Sequence, residues 1–176
     1  MISTKLENFL RDIADFPKPG ILFKDITPIL KDARLCTEVI DEFVNRLEGI
    51  QIDVVAGIES RGFLFGLMLA NRLGVPFVPV RKKGKLPFKT VEEPCELEYG
   101  SATLEMHTDA IHPGQRVLIH DDLLATGGTV GAATRLVQKL EGEVAAYAFV
   151  ISLDFLNAKE HLQKVSSHII SLVSCK

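Results

Sequence analysis

A chain of 176 residues, 47% hydrophobic and 24% charged, is long enough for one domain around a continuous core and too apolar to be mainly disordered. Its net charge of -3 argues against a nucleic-acid binder that works through a broad basic face. Cys36, Cys95 and Cys175 have no paired or metal-ligand spacing, no apolar run approaches the roughly 20 residues that span a bilayer, and the N-terminus lacks a signal segment's basic head. A cytoplasmic protein with reduced thiols is expected, without membrane or nucleic-acid partners.

Near the N-terminus, Thr4 and Glu7 have the spacing of a reciprocal helix cap, and Leu6, Phe9, Leu10 and Ile13 form one apolar stripe. Pro17, Pro19 and Gly20 stop that helix. The stretch FPKPGILFKDITPIL fits neither a good helix nor a regular strand, because its prolines restrict the backbone and remove donors. It is expected to be an arm over residues 16–30, serving a ligand or simply covering the core. A helix is predicted over 35–47, ending at Gly49, and IDVVAG is then a short buried strand. FLFGLMLANRLG gives a second, apolar helix and VPFVPV a second strand. Strand, helix, strand at this spacing predicts a right-handed crossover in a mainly parallel sheet.

Residues 81–99, RKKGKLPFKTVEEPCELEY, break that pattern with prolines, lysines and glutamates. An inserted loop or hairpin outside the core is expected, edged by an antiparallel strand through Ala102, Leu104 and Met106. RVLIH returns to the sheet, and a helix should begin near Thr129, with Val130, Ala133, Val137 and Leu140 on one face and Gly142 as its C-terminal cap. EVAAYAFVISL is another core strand, followed by a polar helix near 157–165 and a strand at HIISLV. The fold class is α/β: a central mainly parallel sheet flanked by helices, with an inserted flexible hood over residues 81–106 and the N-terminal arm.

The sharpest local signal is VLIHDDLLATGGT. Gly127 and Gly128 relieve steric limits where the chain bends into a helix, whose first N–H groups, with the Thr126 and Thr129 hydroxyls, suit an anion. Asp121 and Asp122 would repel a phosphate; they are better placed to accept hydrogen bonds from ribose hydroxyls or to orient waters around a divalent cation. A phosphorylated ribose satisfies both halves. The segment matches neither GxxxxGK[ST] nor GxGxxG, so neither an ATP-type loop nor a dinucleotide site is indicated. An acidic turn that merely caps a helix is the plainer alternative.

This segment resembles the type I phosphoribosyltransferases, and more closely the branch of them that acts on adenine. FPKPGILFKDITPIL, GIESRGFLFG, RKKGKLP, LEYG and DDLLATGGT occur in the family's order and cover most of the chain. The resemblance implies transfer of a phosphoribosyl group from 5-phosphoribosyl-1-pyrophosphate to adenine, giving AMP and pyrophosphate, with magnesium as cofactor. It also implies a homodimer, with Arg61 or nearby loops close to the partner. By the same resemblance, Asp121 and Asp122 position the ribose, and Ala125, Thr126, Gly127, Gly128 and Thr129 hold its 5-phosphate. Glu59, Ser60 and Arg61 would form a tight pyrophosphate loop, often with a non-proline cis peptide, assisted by Arg81, Lys82 and Lys85. Glu98 is implied as the acid-base residue with Tyr99 beside it. Leu22, Phe23 and Lys24 would hold adenine, Phe23 stacking on the ring and Leu123 packing against its other face. FKTVEEPCE, after GKLP, departs from many close relatives and leaves the middle of the hood without a template.

The residue types suit these roles. A guanidinium fork matches phosphate, and the four cations at Arg81, Lys82, Lys83 and Lys85 need either solvent or an anion. Attack by a ring nitrogen on C1 of the sugar requires fixed phosphate donors, magnesium and excluded water more than a covalent nucleophile. The five histidines have no zinc pattern, and Cys95 has no convincing Cys-His partner. His120, just before the acids, reads as a packing or surface residue.

Overall fold

A computed structural model describes residues 1–16, 18–96 and 100–175. The chain opens with α1 (Ile2–Phe9), β1 (Arg11–Ala14), β2 (Leu22–Asp25), α2 (Thr27–Leu30) and α3 (Ala33–Arg46). The centre comprises β3 (Val54–Ile58), α4 (Gly62–Leu73), β4 (Phe77–Lys82), β5 (Thr90–Glu96), β6 (Ser101–His107) and β7 (Arg116–Leu124). After these come α5 (Gly128–Lys139), β8 (Glu143–Leu153), α6 (Ala158–Leu162) and β9 (Ile169–Cys175). The described residues form a seven-stranded sheet in the order β5-β6-β4-β3-β7-β8-β9, and β1 pairs with β2 in a separate ribbon. Strands β4, β3, β7, β8 and β9 are mutually parallel, and β6 and β5 add an antiparallel edge.

Strand geometry sends alternate side chains to opposite faces, and here both faces are buried. Val55, Leu118 and Ala148 face Phe43 of α3 and Phe65 and Leu69 of α4. Their neighbours Ala56, Ile119 and Phe149 face Val130, Ala133 and Val137 of α5. The predicted α/β architecture and parallel crossover are therefore present. Helix α4 buries only part of its apolar surface: Leu64, Leu67 and Met68 are exposed. No helix of the described residues is long and apolar enough to cross a membrane.

Several local expectations are corrected. The first helix starts at Ile2 with Met1 as its cap, so Thr4 lies inside it and no side-chain cap forms. It ends at Phe9, where Leu10 turns extended, and Ile13 belongs to β1. The arm is not irregular throughout: residues 22–25 pair antiparallel with β1, which satisfies backbone groups of that stretch. The left-handed residue after α5 is Glu141, with φ 60°, rather than Gly142. Finally, the hairpin of β5 and β6 is not outside the core. Strand β6 extends the main sheet by pairing with β4, and Cys95, Leu104 and Met106 pack into the layer that includes α5.

Within that layer the hydroxyl of the fully buried Tyr147 lies 2.9 Å from Thr134 Oγ1, which can also donate to Val130 O at 2.9 Å. Tyr147→Phe should cost about 1 kcal/mol, the loss of one satisfied hydrogen bond. On the other face, Phe65→Ala should cost about 3–5 kcal/mol through the cavity it leaves. Equilibrium urea unfolding of the two variants measures both.

Candidate active site

Strand β3 has β4 on one side and β7 on the other, so the chain's direction of travel across the sheet reverses there. In an open α/β sheet the loops leaving such a pair diverge and open a crevice beyond their carboxyl ends. The loops in question hold residues 59–61 after β3 and 125–127 after β7. A cavity of about 560 Å³ lies there, lined by Glu59, Ser60 and Arg61 on one side and by Asp121, Asp122, Leu123 and Thr129 on the other. Arg81, Lys82 and Lys85 complete its wall.

The two acids stand on a strand, not in a turn as their sequence context suggests. Strand β7 continues to Leu124, whereas its pairing with β3 ends at Gly57 and His120. Asp121 therefore projects past β3 while still paired with Phe149 of β8. Asp121 Oδ1 accepts the backbone N–H of Asp122 at 2.9 Å. Asp122 is buried, with its Oδ2 2.8 Å from Arg61 Nε. Burial first, and the neighbouring Asp122 second, push the Asp121 carboxyl well above the usual range. Burial also raises Asp122, against the pull of the Arg61 guanidinium. Gly62 brings the facing loop close enough for this pairing, since a Cβ there would stand 2.9 Å from His120 O and 3.0 Å from Asp121 Oδ1.

The loop after β3 contains a cis peptide between Glu59 and Ser60. The Glu59 carboxylate turns toward the basic wall: Arg81 Nε donates to Oε2 at 3.0 Å and Lys85 Nζ to Oε1 at 2.9 Å. Burial alone would raise Glu59, but Lys85, the Lys82 amide and Arg81 hold it below its ordinary value. Arg61 forms the cap of α4, and its Cζ also lies 4.7 Å from the centroid of the Phe23 ring. Arg61 thus joins an aromatic of the arm to an acid of β7, a contact the sequence does not reveal.

The remaining predicted residues divide between places. Phe23 meets Phe16 edge-on at 5.1 Å, Leu22 is exposed, and Lys24 Nζ pairs with Asp12 at 2.6 Å, so none of the three lines the cleft. Gly127, with φ 84°, caps α5 in the left-handed region. Together with Thr126 and Gly128 it lines a neighbouring cavity of about 740 Å³, while Thr129 faces the cleft. Ala125, just before Thr126, is half-buried. A Cβ at Gly128 would collide with the carbonyl of Glu96, so the end of β5 abuts the start of α5. Glu98 and Tyr99 lie outside the described residues. His120 is packed edge-on against Phe43, and burial lowers its pKa to about 4, leaving it neutral at pH 7.

The chain is similar to known proteins in both sequence and fold. The phosphoribosyl transferase domain family matches residues 24–176. The chain is 51% identical over 174 residues to an adenine phosphoribosyltransferase of Cytophaga hutchinsonii, covering 99% of this chain and 96% of that one. It superimposes on the crystal structure of the Thermoanaerobacter pseudethanolicus adenine phosphoribosyltransferase with a TM-score of 0.94 at 50% identity, covering 99% of each chain. The Saccharomyces cerevisiae enzyme, solved with an imino-altritol bisphosphate and adenine, gives a TM-score of 0.90 at 43% identity, covering 97% of this chain and 98% of that chain.

An acid with a raised folded-state pKa contributes fully to stability below its unfolded value of about 3.9, and that contribution is lost as pH rises through the raised value. Asp121 is such a group. Asp121→Asn should therefore melt higher than the parent at pH 7.5, by roughly 2–4 °C for each kcal/mol relieved, and the gap should close toward pH 4. Thermal melts across that range would expose the opposite trend if the acid is stabilising.

Proposed function

The chain belongs to the phosphoribosyltransferase family, and we propose that the cleft between β3 and β7 is where its chemistry takes place. It transfers the phosphoribosyl group of 5-phosphoribosyl-1-pyrophosphate to adenine, giving AMP and pyrophosphate in purine salvage. The observation that carries the choice of site is the meeting of two sugar-facing acids with Arg61, Arg81 and Lys85 around one cavity.

In this reading Asp121 and Asp122 accept the ribose hydroxyls, and Ala125, Thr126, Gly127, Gly128 and Thr129 hold the 5-phosphate at the N-terminus of α5. Ser60, Arg61, Arg81, Lys82 and Lys85 take the pyrophosphate, with Glu59 holding Arg81 and Lys85 in register until the anion arrives. Phe23 stacks on adenine and Leu123 packs against its other face. The side chains of Leu22 and Lys24 point elsewhere, so these residues offer the base their backbone groups. Proton transfer on the base falls to Glu98, with Tyr99 beside it, on the strength of the LEYG motif.

The chemistry follows from charge. As the base nitrogen approaches C1, positive charge grows on the sugar and negative charge on the departing pyrophosphate. Fixed cations near the leaving group and carboxylates near the sugar oppose each build-up without reorganising. No group of three or more metal-ligating side chains gathers among the described residues. Asp121 and Asp122 nevertheless supply hard carboxylate oxygens, which suits magnesium carried by the donor's phosphates and kept partly hydrated. When bound, magnesium neutralises phosphate charge.

The exposed Leu64, Leu67 and Met68 give α4 an apolar face suited to a second copy of the chain, in a cytoplasmic homodimer. Light scattering after size exclusion should report a dimer, and Leu67→Asp should shift it toward monomer.

Incubation with adenine, magnesium and the sugar donor should yield AMP and pyrophosphate, and a chelator should suppress both. GMP or IMP formed in place of AMP from matched bases would reject adenine. Asp122→Asn should raise KM for the donor at least tenfold, on the order of one lost charge-assisted hydrogen bond. Glu98→Gln should lower kcat by about 10²–10⁴ if it moves a proton.

A further inference from the structure

Glu105 has no place in the assignments above, yet it is buried to 3% exposure in the middle of β6. Leu104 and Met106 on either side are buried in the core layer. Strand alternation therefore turns Glu105 to the opposite face, where a glutamate would ordinarily be solvated. A charge is kept from water only when other partners replace it. Here they are backbone amides: Glu105 Oε1 accepts the N–H groups of Lys85 and Leu86, both at 2.8 Å, and Oε2 lies 3.4 Å from Thr90 Oγ1. Burial would raise this carboxyl, but the amides of Leu86, Gly84 and Lys85 hold it below its ordinary value, so it stays ionised at neutral pH.

Those amides belong to the turn that presents the basic wall. Gly84 bends it with φ 87°, and the Lys83 N–H is fixed to Thr103 O at 2.8 Å. Lys85 is then held at both ends of its residue, its N–H by Glu105 and its carbonyl by Arg81 Nη1 at 3.3 Å. From that position Lys85 Nζ and Arg81 Nε converge on the two oxygens of Glu59 at the cleft. Arg81 is also the residue directly opposite Glu105 in the ladder between β4 and β6.

We propose that Glu105 is a positioning residue that sets the protein's grip on the pyrophosphate end of the sugar donor, by pinning the turn from which Arg81 and Lys85 reach the cleft. This rests on the assignment of Arg81 and Lys85 to pyrophosphate made above. Glu105 touches neither substrate; it replaces solvent as the acceptor for a turn whose lysine would otherwise swing on a mobile backbone.

The test compares Glu105→Gln, which keeps one acceptor oxygen, and Glu105→Leu, which keeps none, with Glu93→Gln. Glu93 braces the same hairpin to α5 through Arg135 at 2.6 Å and Lys139 at 2.5 Å, its partners among the described residues lying on α5 and not on the basic turn. Calorimetric titration with inorganic pyrophosphate plus magnesium, and steady-state KM for each substrate, are the readouts. Glu105→Leu should weaken pyrophosphate binding and raise KM for the donor by about tenfold or more, with Glu105→Gln intermediate and KM for adenine within about twofold. Glu93→Gln should lower the melting temperature and leave pyrophosphate binding as in the parent. Unchanged pyrophosphate binding in Glu105→Gln overturns the proposal, even if Glu105→Leu fails to fold. An equal loss in Glu93→Gln, or an equal rise in KM for adenine, overturns it too by showing general loosening. Arg81→Ala and Lys85→Ala separate the two layers. If they bind pyrophosphate normally, the site assignment itself fails; if they weaken it while the Glu105 variants do not, only the positioning role fails.

Discussion

Strand β7 keeps its parallel pairing with β3 only as far as His120, yet it runs on to Leu124 against β8. That overrun places two carboxylates where a short βα loop would otherwise begin, on backbone held by a sheet rather than by a turn. A site built on a strand is positioned more tightly than one built on a loop. The loop after β3 can approach it because residue 62 is glycine. The remainder of the cleft is arranged around this pair of strand ends, including the cap of α4 and the basic turn after β4.

Within the cleft the charged side chains are matched internally. Arg61 is matched by Asp122, and Arg81 and Lys85 by Glu59. Each carboxylate keeps a cation oriented at the cleft. Such preorganisation lowers the ordering cost of binding. It also explains how a chain of low net charge can handle a heavily charged substrate: the positive field is local and internally balanced. The strain between Asp121 and its surroundings is of the opposite kind, a carboxyl whose environment disfavours its charge. Such costs collect at functional sites, where fold stability and chemistry pull in different directions.

The parts of this arrangement legible in the sequence were those governed by local rules. The run EVAAYAFVISL, the apolar helix after Gly62 and the glycine-rich passage from β7 into α5 each announce themselves by periodicity or turn chemistry. What stayed hidden depends on partners in other segments of the chain. Four residues of β1 cannot display a period, and their strand character comes from pairing with β2. SATLEMH alternates in a way that assigns Glu105 to solvent, because nothing near it in sequence shows that three amides of another turn converge on it. Arg61 could be matched to a phosphate-binding motif, but its contacts with Phe23 and Asp122 join three separate segments.

The hairpin of β5 and β6 has a mechanical consequence. One strand is clamped to α5 by Glu93 and abuts Gly128 through the carbonyl of Glu96; the other is hydrogen-bonded into the main sheet beside β4. Buttressed on both flanks, the hairpin ties the start of α5 to the edge of the main sheet as one braced unit.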